Sequence, residues 1–277
     1  MDYENSISPD FRDALENNSL AALRAFPKAD LHNHCLLGGN RQVIEKHFGK
    51  KLEKFSTAGD GIAGLNSWIG RVYRPFFELP DAFEKAVEAA FVQAGRDGVT
   101  RLEMSIDVMF GKLFHFSPDR IVSALRHYHQ AVAPAIDFRP ELGFSRSQPV
   151  DKLMAGFESF LGYGYFRSVD LYDDEFAQPA ANFKMLYRFA REQGMKCKAH
   201  AGEFGTADSV KETVEVLGLD AVQHGIGAAD SPGVMKWLAG NRIPLNICPT
   251  SNIMLKRIKS YKTHPVRILF DNGVKVT

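Results

Sequence analysis

The sequence predicts an α/β fold, a TIM-type (β/α)8 barrel occupying one domain over residues 1–277. Three observations point to it. Short apolar or β-branched runs alternate with longer segments of helical period, the pattern of repeated βα units on a parallel sheet. Eight such runs fit into 277 residues, a length that α/β barrels fill as one domain. Histidine-containing polar segments follow several of the runs, where a barrel carries its chemistry.

The expected strands are Ala29 to Cys35, Val99 to Ile106, Glu141 to Ser145, Phe166 to Leu171, Met195 to His200, Ala221 to His224, Ile243 to Ile247, and Val274 onward. Amphipathic stretches Asp81 to Ala94, Ser117 to Val132, Asn182 to Gln193 and Ser209 to Leu217 are long enough for crossover helices. Gly194, Gly218, Gly240 and Gly273 each precede a strand, where helix C-cap glycines are expected. The sequence stops at Thr277, so the barrel is expected to be cut short within its eighth strand. The aromatic-rich stretch from Phe55 to Phe77, with Trp68, Tyr73 and Phe76, is expected to form either a lid or core.

Composition narrows the function. The chain is 45% hydrophobic and 24% charged, typical of a globular protein with a large core. Its 34 basic and 33 acidic residues leave a net charge of +1, which argues against a nucleic-acid or anionic-membrane partner and for a small molecule. No run approaches the ~20 apolar residues of a membrane-spanning helix, and the acidic start MDYENSISPDFRD is unlike a signal peptide, so a cytoplasmic location is expected. Cys35, Cys197 and Cys248 lack CxxC spacing and are expected as reduced, buried thiols. Oligomeric state is not written in the sequence.

The first strand ends in Asp30-Leu31-His32-Asn33-His34. Side chains alternate faces along a strand, so His32 and His34 project to one side about 6.5 Å apart and can share a metal. A third imidazole, His200, ends the fifth strand and is followed by Ala201-Gly202-Glu203. Three protein ligands and one open position are the arrangement of a catalytic zinc, which brings bound water to a pKa of about 7. Singly, His200 could fill the barrel and Glu203 could sit at a helix N-terminus; histidines closing strands one, five and six together argue for a site. His224 is either a fourth ligand or a base that orients water. Cys248-Pro249-Thr250-Ser251-Asn252 forms a polar rim, or a turn with Ser251 and Asn252 as caps.

With these residues in order, the chain resembles the adenosine and AMP deaminase group of the amidohydrolase superfamily. The resemblance rests on Lys28 to His34, Asp170-Leu171 with Glu175, His200 to Glu203, His224-Gly225, Cys248 to Asn252, and Thr263-His264-Pro265 before Asp271-Asn272-Gly273. It implies hydrolytic deamination of an adenine-type ring with one zinc per chain on His32, His34 and His200. Glu203 would protonate purine N1 and His224 would position the attacking water. Asp170, Gly202, Ser251 and Asn252 would meet the substrate.

Three departures shape the expected substrate. Cys35-Leu36-Leu37-Gly38-Gly39 stands where relatives carry an acid or amide for the ribose 5′ hydroxyl, so the expected substrate is adenosine or a modified adenine nucleoside or nucleotide, 5′-substituted forms included. Asp173 stands where relatives place a glycine against the purine, so its side chain is expected to intrude. Relatives carry two aspartates just after strand eight, the first a zinc ligand; the chain ends before them, so metal binding and turnover are expected to be weakened. Lys256, Arg257, Lys259 and Lys262 offer either a phosphate contact or an exposed helix face.

Two other functions fit parts of the pattern. A barrel phosphoesterase shares the Asp-Leu-His-x-His start but uses further histidines and more than one metal, and the HAGE and QHG segments argue against it. A nucleoside-binding barrel without turnover is the other.

Overall fold

The computed structural model describes residues 8–55, 61–77, 79, 81–113 and 117–277. Residues 56–60 of the expected lid, and the first seven residues of the N-terminus, lie outside these. Seven parallel strands follow in chain order: β1 (Lys28–His34), β2 (Val99–Asp107), β3 (Asp137–Ser145), β4 (Ser168–Tyr172), β5 (Lys196–Ala201), β6 (Ala221–His224) and β7 (Leu245–Asn246). Each pairs with the next, so the sheet curls into a nearly closed barrel with helices outside. The eighth run reaches the free edge of β7: Leu245 N donates to Lys275 O, Thr277 N to Leu245 O, and Val276 bridges Leu245 in parallel.

Strand positions match the expected runs closely, with one large extension. β3 begins at Asp137, four residues early, although Pro140 has no N–H for a ladder. Its carbonyl still accepts from Arg167 N at 2.8 Å, so the strand survives the missing donor.

The expected helices appear as Ala82–Arg96, Pro118–Val132 and Ala207–Leu217, while the fourth splits into a 3-10 turn Ala180–Phe183 and helix Lys184–Glu192. Ser117 and Thr206 cap two of them by accepting from Arg120 N and Ser209 N. Gly240 is a correction. It lies inside helix Pro232–Asn241, and Arg242 adopts the left-handed cap conformation at φ 57°.

The main core lies between strands and outer helices, with Phe83, Phe91, Phe144, Phe157, Phe160, Phe183 and Tyr187 almost wholly buried. Inside the barrel the filling is polar. Lys198 Nζ meets Glu141 at 2.5 Å and Glu103 at 2.8 Å, and Asn246 Nδ2 donates to Gln223 Oε1 at 2.8 Å. A second, smaller core joins helix Arg41–Phe48 to the segment Gly61–Phe77 through Ile44, Leu52, Val72 and Tyr73, with Trp68 and Phe76 against it. That segment is interrupted by a π-helical turn, Ile69–Tyr73. It is therefore core on one side, and on the other it reaches the barrel mouth: Asn66 Nδ2 donates to Asp173 Oδ1 at 2.8 Å. No helix among the described residues is long and apolar enough to cross a membrane.

Candidate active site

Strand geometry brings the three expected ligands together. His32 and His34 share a face of β1, and His200 comes from β5 across the barrel. His200 Nε2 lies 3.0 Å from His32 Nε2 and 3.3 Å from His34 Nε2. The ligand atoms of all three lie within 4.8 Å of one another. Burial, reinforced by the neighbouring imidazoles, pushes His32 well below its ordinary pKa, and burial pushes His34 down to about 4. Metal ligation requires such neutral rings.

Outer partners fix which nitrogen faces inward. His32 Nδ1 donates to the Asn246 carbonyl at 3.2 Å, and His200 Nδ1 donates to Asp170 Oδ1 at 3.2 Å. Both rings therefore turn a bare Nε2 to the centre, as histidine ligands do. Three inward nitrogens this close, two of them bare lone pairs, suit a cation at their midst, so the residues fit a zinc ion. Burial opposes charge on His200, yet Asp170 outweighs it and raises that pKa.

Glu203 follows on the loop after β5. Gly202 allows the turn at φ 66°, where a Cβ would also collide with Val210 Cγ2. The buried Glu175 carboxylate gathers three N–H groups from this loop: Gly202 at 2.5 Å, Phe204 at 2.6 Å and Gly205 at 3.1 Å. From the other side Arg257 Nε donates to Glu203 O at 3.0 Å. Glu203 itself is 3% exposed, and burial pushes its pKa up to about 7. Its Oε1 has no hydrogen-bond partner and lies 3.3 Å from His224 Nε2. A buried acid with a free oxygen is placed to give a proton to something entering the site.

His224 ends β6 in the left-handed region at φ 64°, unusual outside glycine, and Gly225 follows at φ 69°. This double turn sets its ring 4.7 Å from that of His32.

The four residues expected to touch substrate are placed differently. Asp170 serves His200, the Gly202 N–H is taken by Glu175, and Asn252 is fully buried with its amide between His224 and His264. Ser251 is half-buried on the same short helix as Asn252, Pro249–Met254. The Asp173 carboxylate, expected to intrude, takes bonds from Ser145 Oγ at 2.7 Å and Asn66 Nδ2 at 2.8 Å, on a backbone at φ 83°. Of the basic cluster, Arg257 is spent on the Glu203 loop, while Lys256, Lys259 and Lys262 are exposed.

Sequence reading missed several parts of the site. Tyr172 packs 5.1 Å from the His34 ring and its hydroxyl donates to Asp107, which burial raises to about 6. Cys248 Sγ lies 3.3 Å from His32 Nδ1. A tyrosine and a cysteine at strand ends were visible signals; the partners were not.

The sequence profile described as Adenosine deaminase matches residues 71–277. The chain belongs to the adenosine deaminase family. A Treponema pallidum protein assigned as an adenosine/adenine deaminase is 31% identical over 93% of this chain and 86% of its own length. Two solved structures share the fold: adenine deaminase from Arthrobacter aurescens, with a TM-score of 0.77 at 22% identity over 90% of this chain and 80% of that one, and a zinc-bound amidohydrolase from Burkholderia ambifaria, with a TM-score of 0.77 at 21% identity over 98% and 77%. As a member of the adenosine deaminase family the chain is an aminohydrolase acting on adenine-type substrates, which sets aside the phosphoesterase reading.

Proposed function

We propose that this chain is a zinc-dependent hydrolase that deaminates the adenine ring of adenosine or a 5′-substituted adenine nucleoside or nucleotide, releasing ammonia. The observation that carries this reading is the three-histidine cluster beside a buried carboxyl whose free oxygen faces His224. His32, His34 and His200 would hold one zinc per chain, and zinc, when bound, supplies a water ionised near neutral pH.

The chain's own groups do the rest. Glu203, kept protonated near neutrality, gives its proton to ring N1 and so draws electrons away from C6 as the water's oxygen adds there. His224 orients that oxygen and stabilises the charge that develops on it. The ionised Glu203 then passes the adduct's hydroxyl proton to the exocyclic amine, the C6–N bond breaks with its electron pair going to nitrogen, and ammonia leaves a 6-oxo ring. Ser251 is left to meet the substrate from the β7 side.

The sugar end is less tightly specified. Cys35 is buried and Leu36-Leu37 offer no hydrogen-bonding side chain, so nothing in this stretch grips a free 5′ hydroxyl. Substituted nucleosides fit, and so does free adenine; the Treponema name covers both nucleoside and base, and the Arthrobacter name the base alone. Zinc content by elemental analysis and ammonia release from adenine, adenosine, 5′-substituted adenosines and AMP test the reading. One zinc and release from at least one of these supports it; no release from any sinks it in favour of a binding protein.

A further inference from the structure

Three of the imidazoles at the mouth have partners at Nδ1, and these partners sort them into two kinds. His32 and His200 face acceptors there, the Asn246 carbonyl and the Asp170 carboxylate, so each carries its proton outward and leaves Nε2 bare. His224 is approached from the opposite sense. The chain of bonds behind it begins at a group that can only donate: the Val266 backbone N–H gives to His264 Nδ1 at 3.1 Å. A neutral His264 then carries its proton on Nε2, which donates to Asn252 Oδ1 at 3.1 Å. That turns the amide so that Nδ2 donates to His224 Nδ1, also at 3.1 Å.

Each link dictates the next, and the first cannot reverse. Asn252 is wholly enclosed and His264 nearly so, so water is poorly placed to substitute for either. His224, an acceptor at Nδ1, must carry its own proton on Nε2, the nitrogen 3.3 Å from Glu203 Oε1.

We infer that Asn252 and His264 are positioning residues that hold His224 off the metal as an Nε2–H donor to the attacking water. A ring locked this way has no inward lone pair for a metal or for taking a proton; it offers one N–H. Three imidazoles in one mouth thus receive different tasks from their outer neighbours. The catalytic consequence rests on the deaminase reading above, whereas the proton position does not.

Long-range 1H–15N spectra of zinc-loaded protein with 15N-labelled histidine test the inference without any substrate. The expected result is a protonated Nε2 and bare Nδ1 on His224, with the reverse on His32 and His200. Asn252→Leu removes the donor and is expected to lower kcat by about 10- to 100-fold with zinc content and KM little changed. His264→Gln, whose amide N–H can still serve Asn252 Oδ1, should recover most of the activity that His264→Leu loses. A His224 protonated on Nδ1 with bare Nε2 in the unsubstituted protein overturns the inference, as does Asn252→Leu leaving both tautomer and kcat unchanged. If the variants fail to fold, the spectrum of the unsubstituted protein decides. If no adenine compound is deaminated while the spectrum is as expected, the proposed reaction falls and the proton arrangement stands.

Discussion

The half of the barrel from β4 to β7 and the segments 41–55 and Gly61–Phe77 meet at the same mouth but are built differently. In the first, Asp170, Glu175, His200, Glu203, His224, Asn252 and His264 are all buried, and the Glu175 carboxylate grips the loop that carries Glu203 by accepting from three of its backbone N–H groups. In the second, Asn66 and the Arg71–Glu53 ion pair are exposed, and a small core of its own holds the segment. The contrast teaches a division of labour. On the proposed reading, chemistry belongs where neighbours over-determine each side chain, and fit to the substrate where contacts are few and open to water.

The comparison can be broken at its strongest point first. His200→Ala is expected to lose both zinc and turnover; full zinc content by elemental analysis would remove the three-histidine site. Glu203→Gln should keep its zinc, since Glu203 is no ligand, and lose about 10²–10⁴ in kcat. Unchanged turnover would take Glu203 out of the mechanism. Glu175→Gln leaves one loop N–H facing a donor, so stability should fall by about 1–3 kcal/mol in chemical denaturation, with kcat falling too.

The pH dependence has a definite sign. The folded pKa of Glu203, about 7, stands above its ordinary value of 4.5, so the folded protein holds this proton more tightly than the unfolded chain. Its contribution to stability is present below pH 4.5 and lost as pH rises through about 7. The donor form is lost in the same direction, so kcat should decline above about pH 7. A flat profile through that range sends the proton to another group. The smallest effect belongs to the cover. Asn66→Ala cuts the bond to Asp173 and should raise KM by a few-fold with kcat nearly unchanged, the cost of one exposed hydrogen bond of about 0.5–1.5 kcal/mol. A large fall in kcat would erase the division between the two regions.

How far the sequence could be read depended on what kind of information each residue carries. A strand end announces itself by period and by the polar residues after it, so the meeting of His32, His34, His200, Glu203 and His224 at one mouth was legible, as was the barrel that brings them there. Residues whose role is set by a distant partner were not. Asn252 can donate and accept, so its sequence position fits a helix cap, a substrate contact or a relay equally; only His224 on one side and His264 on the other decide. Glu175 and Asp170 belong to one strand-end motif but reach Gly202, on the loop after the next strand, and His200, on that strand. β7 shows the opposite failure, where a five-residue apolar run yields two residues of ladder before the backbone turns into the Pro249 helix. Gly240 carried the usual meaning of a helix C-cap before a strand, and helix Pro232–Asn241 ran through it.

The bonds from Glu175 also bear on how the site opens. Because one carboxylate on the β4 loop holds three amides on the β5 loop, neither loop can fray without the other, and the two form one cooperative unit. Amide hydrogen exchange at Gly202, Phe204 and Gly205 would then share a single opening event and proceed at one common protection level. Glu203, the proposed proton donor, rides inside that unit, so thermal fluctuation that unseats it must unlatch both loops at once.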